Sequence, residues 1–132
     1  MGLFRRVKHP LPKVPASIRQ MFRSLCEALP VDQLPTLRRE LETAVKAMLH
    51  EGGARIQQNT PTIQALKERS ELLLARYEQF GETEKKLAIG AIRYFLNPDD
   101  PFPEEAFASG FDDDVRVMNH VLEAVGCIDQ VI

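Results

Sequence analysis

The sequence predicts an all-α fold: a single compact bundle of about five helices, with an ordered acidic, proline-rich loop between the last two. Three observations carry that expectation. Apolar residues recur at three- and four-residue steps through most of the chain, which places them on one face of a helix. Proline and glycine fall between those periodic stretches, where helices stop. At 132 residues, 44% hydrophobic and 27% charged, the chain suits one domain with a modest, mostly aliphatic core.

Residues 1–15 are expected to form a basic extended arm, because three prolines remove amide donors and fix φ. Residues 16–132 make the helical domain. The first helix should run from Ser17 to Leu29, with Ile18, Met21, Phe22, Leu25 and Leu29 on its apolar face and Pro30 stopping it. The second should start at Leu34-Pro35 and continue through Leu37, Leu41, Ala44, Val45 and Met48 to His50, ended by Gly52-Gly53. Arg38, Arg39, Glu40, Glu42 and Lys46 mark its wet side.

Residues 54–59 read as a polar connection, since Thr60-Pro61 combines a hydroxyl cap with proline at a first helical position. The third helix then carries Ile63, Leu66, Ser70, Leu73, Leu74 and Tyr77 on a stripe expected to face its own core. The fourth differs. Leu87 to Leu96 is apolar nearly all round, which argues for a central position. Gly90 costs about 1 kcal/mol relative to alanine inside a helix, so it implies a close crossing by a neighbour. Arg93 is the exception in this segment and needs a carboxylate or an exit to solvent. The fifth helix presents Val115, Met118, Leu122 and Val125 inward; it also contains Arg116, Asn119, His120 and Glu123, with His120 one turn after Arg116 on its polar side. Gly126 ends it, and Ile128 and Val131 of the tail can pack back.

Charge is distributed unevenly around a net −2. Residues 1–23 carry Arg5, Arg6, Lys8, Lys13, Arg19 and Arg23 and no acid, whereas residues 97–132 hold Arg116 as their one base. Such polarity steers partners. No apolar run approaches the ~18 residues of a membrane span, and the N-terminal residues lack the apolar core of a secretory signal. Cys26 and Cys127 stand far apart with no metal-type spacing, which fits reduced thiols and a cytoplasmic location.

The candidate site lies in Tyr94–Val115, YFLNPDDPFPEEAFASGFDDDV. Asp112 or Asp113 can cap the fifth helix, and a further aspartate in its first turn complements the helix dipole. Asp100 can hold an amide in its own turn, and Arg93 can tie a carboxylate to the buried helix. Together with Glu104, Asp112, Asp113 and Asp114, these form the expected contact or capping set. A metal reading places Mg²⁺ or Ca²⁺ on Asp100, Asp113 and Asp114, as in a divalent-metal-dependent hydrolase. The alternating aspartates and terminal glutamate of a calcium loop are missing from it, and no cofactor is the leading expectation. A nucleic-acid reading uses Arg5, Arg6, Lys8 and Lys13 as phosphate contacts. His9, His50 and His120 are scattered, and no GxSxG, P-loop or HExxH pattern occurs, so the balance leans away from an enzyme.

Tyr94, Pro98, Asp100, Pro103 and Glu104, followed by Gly110, Asp113 and Asp114, fall at the spacing of a known signature. The stretch resembles that of the YkvA-like bacterial proteins, a family of small helical domains without an assigned reaction. The likeness spans residues 87–126. Pro101 departs from it where the family has an aliphatic residue, and Glu105, Ala106 and Phe107 replace a more apolar run. Arg116, Asn119, His120 and Glu123 interrupt what is often a membrane-like segment in relatives, so membrane association is not implied. The resemblance implies a helical fold. The leading expectation is a non-catalytic interaction or regulatory module with a protein partner, the acidic loop as contact surface and the oligomeric state open.

Overall fold

A computed structural model describes residues 16–50, 54–96 and 112–132. The described chain is all-α. Its helices are α1 (Ala16–Leu25), α2 (Leu34–His50), α3 (Ala54–Arg76), α4 (Glu82–Leu96) and α5 (Asp112–Ala124). Short 3-10 turns at Val31–Gln33, Tyr77–Gln79 and Ile128–Gln130 join or follow them.

The apolar spacing of each helix becomes its buried face. In α2, Leu34, Leu37, Leu41 and Val45 turn inward while Arg38, Arg39, Glu40, Glu42 and Lys46 stay exposed. In α3, Ile63, Leu66, Ser70, Leu73 and Leu74 are buried, with Tyr77 just beyond the helix end. That stripe faces its own core, as expected. Ser70 is tolerated there because its hydroxyl donates to the Leu66 carbonyl at 2.8 Å.

The fourth helix is central. Ala88, Ile89, Gly90, Ala91, Ile92, Tyr94 and Phe95 are all buried. α4 and α5 form the most extensive pairing, followed by α1 on α4 and α2 on α3. Gly90 sits where α1 crosses. A Cβ there would collide with Cys26 Sγ, and would lie 3.0 Å from Phe22 Cε1 and 3.3 Å from Cys26 Cα. The start of α4 is capped in reverse: the Gly81 N–H donates to Glu84 Oε1 at 2.9 Å, one arm of a capping box.

Two boundaries differ by several residues from the sequence reading. α1 closes at Leu25 rather than Leu29, through a Cys26 N–H to Arg23 carbonyl bond of 3.3 Å. Pro30 disfavours helical backbone at Leu29, and the Tyr77 hydroxyl supplies Leu29 with other partners. α3 begins at Ala54, so residues 54–59 are helix and not a connection, with Pro61 inside the helix. Ala, Arg and Gln in that stretch are good helix formers, and they carry the helix through the one amide that Pro61 removes. α2 ends at His50 as expected, while Gly52 and Gly53 lie outside the described residues.

The fifth helix is buried more widely than its stripe suggests. Val117 and Val121 join Met118, Leu122 and Val125 in the core, and the polar Asn119 and Glu123 are buried as well. Asn119 is inward because it holds the tail. Its Oδ1 accepts from the Ile132 N–H at 2.7 Å, and its Nδ2 donates to the Ile132 carbonyl at 3.3 Å. Arg69 Nε adds a bond to the Gln130 carbonyl at 2.5 Å.

Gly126 makes this tail possible. Its φ of 84° is left-handed, and it closes α5 by giving its N–H to Glu123 (3.2 Å) while Cys127 gives its own to Leu122 (2.7 Å). Both bonds belong to a Schellman motif. A Cβ at Gly126 would meet nothing within 4 Å, so the backbone conformation alone opposes a side chain. Gly126→Ala is expected to lower stability by about 1–2 kcal/mol and Gly126→Asn by less, as read from urea unfolding midpoints.

Candidate functional site

The acidic residues are framed by α4 and α5, two helices that pack on each other. α4 ends at Leu96 behind the buried Tyr94 and Phe95, and α5 opens at Asp112 ahead of the buried Val117 and Met118. Asp112, Asp113 and Asp114 therefore form the first turn of α5, where unpaired amides and the positive end of the dipole favour carboxylates. Asp113 and Asp114 are half-buried, and both take part in interactions there. Asp100 and Glu104, with the rest of 97–111, lie outside the described residues, as does the side chain of Asp112. The same holds for residues 1–15, and so for Arg5, Arg6, Lys8 and Lys13.

Arg93 finds its carboxylate in Glu27. Nη1 lies 2.9 Å from Glu27 Oε2, with the arginine one-third and the glutamate two-thirds exposed. Such an exposed pair is worth at most about 1 kcal/mol. It ties the last turn of α4 to the irregular chain after α1. Local pattern shows that Arg93 needs a partner, but it does not point to Glu27, 66 positions away.

Beside that pair opens a cleft of about 250 Å³, lined by Leu29, Gln33, Thr36, Leu37, Glu40 and Arg93. Leu37 is buried and Leu29 half-buried, so together they supply an apolar wall. Gln33, Thr36 and Glu40 are exposed and polar. Apart from Arg93, sequence reasoning missed this cleft. Leu29 was expected inside a helix, and Glu40 was one of several wet residues on α2. The usable signal was the four- and three-residue spacing of Gln33, Leu37 and Glu40, which places them on one side of the segment that runs into α2.

The opposite side of the same connection is locked by Tyr77. Its hydroxyl accepts from the Leu29 N–H at 2.6 Å and donates to the Leu29 carbonyl at 2.7 Å. Burial pushes this hydroxyl above its ordinary 10.0; the bond to Leu29 pulls the other way, and the negative charge of Glu82 adds to the rise. Lys85 Nζ stands 5.4 Å from the ring centroid.

Cys26 lies just past α1 and is half-buried, whereas Cys127 of the tail is the buried one. Both are free. Burial pushes the Cys26 thiol up, which disfavours its nucleophilic thiolate. Cys127 Sγ accepts from Arg76 Nη1 at 3.1 Å. His120 stands edge-on to Phe22, with centroids 6.3 Å apart and an interplanar angle of 87°. Among the described residues, no three His, Cys, Asp or Glu side chains are grouped to hold a metal ion. Among them, too, no helix is long and apolar enough to cross a membrane.

No family model, no curated protein and no solved structure matches the chain.

Proposed function

We propose that the protein is a non-catalytic interaction or regulatory module whose acidic segment, from Asp100 and Glu104 to the first turn of α5, contacts a protein partner. One observation carries this reading. The two flanks of the acidic segment are the ends of α4 and α5, the most extensively packed pair of helices. A rigid scaffold that holds both ends of a polar segment is the arrangement in which loops commonly serve binding. The acids of this segment favour a basic surface on the partner. The likeness to the YkvA-like proteins belongs to the same reading, because its signature residues span these two flanks.

The test is affinity capture with the intact chain and with Asp113→Ala/Asp114→Ala, at matched stability. The expected stability loss is about 1 kcal/mol per carboxylate or less. The variant is expected to lose the salt-sensitive partners of the wild type. Identical partner sets from two equally stable proteins overturn the acidic turn as the contact.

A further inference from the structure

The cleft between α2 and α4 has a chemistry of its own. We propose that it binds a small zwitterion of amino-acid size, an aliphatic α-amino acid, with Arg93 taking the carboxylate and Glu40 the ammonium. Arg93 and Glu40 line the same cleft. The Glu27 carboxylate already rests on Arg93 Nη1 at 2.9 Å, so the guanidinium takes a carboxylate at this position. A guanidinium has five N–H donors, and Glu27 is the one partner of Arg93 among the described residues. Glu40 has no ion pair among them.

Charge selects the class of ligand. Phosphates and dicarboxylates would meet Glu27 and Glu40 as well as Arg93, and a simple amine would meet Arg93. A zwitterion satisfies both signs at once. Leu29 and Leu37 offer an apolar wall for an aliphatic side chain, and the lining also holds Gln33 and Thr36, whose hydroxyl accepts from Arg39 Nη2 at 3.4 Å. A volume of about 250 Å³ falls just below that of pockets for drug-sized molecules, which start near 300 Å³, and so fits something smaller. The Glu27 side chain, two-thirds exposed, can swing into solvent as the ligand carboxylate arrives.

The experiment is a titration of the ¹⁵N-labelled full chain with L-valine, L-leucine and L-methionine, followed by amide shifts. Saturable shifts centred on residues 29–40 and 93 are expected for at least one of the three. N-acetyl-L-leucine and L-leucinamide, each lacking one charge, are expected to bind at least tenfold more weakly than L-leucine. Glu27→Gln should tighten binding about threefold by removing the competing carboxylate, and Arg93→Gln and Glu40→Gln should each abolish it. Exposed Glu27 and Glu40 leave two folded variants even if Arg93→Gln does not fold. The proposal is overturned if none of the three amino acids gives saturable shifts, or if the shifts centre elsewhere. It also falls if the single-charge analogues bind equally well, or if Glu40→Gln and Glu27→Gln leave the affinity unchanged.

Discussion

Gly90→Leu is expected to lower stability by about 3 kcal/mol or more, a drop of about 12 °C in melting temperature for a domain of this size. The reason lies in the crossing of α1 over α4. Even one Cβ at Gly90 collides with Cys26 Sγ and crowds Phe22 Cε1 and Cys26 Cα. Phe22 is itself buried, so its ring cannot swing into solvent. Two of the three obstacles are therefore a packed aromatic and backbone, and the helices must separate. Gly90→Ala is a graded version. Alanine recovers about 1 kcal/mol of helix propensity, which offsets part of an overpacking cost of about 1–3 kcal/mol. Combining it with Cys26→Ala removes the sulfur but leaves Phe22 and the backbone. The double variant should thus be more stable than the two single losses added together. Strict additivity in urea unfolding would place the obstacle somewhere other than the thiol.

Tyr77→Phe is the second large effect, with an expected loss of about 2 kcal/mol. The variant keeps the ring, its burial and the neighbouring Lys85, and removes one oxygen. That oxygen serves both the N–H and the carbonyl of Leu29 in a part-buried, non-helical segment. Leaving such groups without partners costs about 1–3 kcal/mol each when water cannot replace the bond, and less when it can. The pH dependence gives an independent check. The folded-state value of the Tyr77 hydroxyl is raised above the 10.0 of an ordinary tyrosine. Its contribution is therefore complete below pH ~10 and is lost as pH rises toward the folded-state value, because the unfolded chain ionises first. The stability gap between wild type and Tyr77→Phe should be constant from pH 7 to 9 and narrow above pH 10. A gap that widens there would contradict the buried hydroxyl.

These two positions show how far local pattern reaches. Gly90 inside an otherwise apolar helix announced a close crossing, and the structure supplies α1 as the crossing helix. Tyr77 read as one more member of the α3 stripe. Its apolar ring does belong to the core, but its hydroxyl is committed to a backbone 48 positions earlier. The same limit explains residues 54–59. Thr60-Pro61 is compatible with a helix start and also with a helix that loses one amide bond, and local chemistry does not separate the two. At the candidate site, the acids of the α5 first turn were legible because carboxylates before an apolar stripe have a local reason to be there. The Arg93–Glu27 pair and the cleft beside it were not, because both depend on which segments meet.

The sequence by itself determined the helical class, the inward stripes of α2 and α3, the central place of α4 and the glycine stop of α5. Those follow from residue spacing and backbone chemistry, which act within a few residues. Only the tertiary structure decided that α1 closes at Leu25, that Asn119 and Glu123 turn inward on α5, and that Arg93 and Glu40 share a cleft. The Asn119 bonds to Ile132 and the shared cleft come from segments that meet in the fold, and at the end of α1 the Tyr77 hydroxyl adds to the local effect of Pro30.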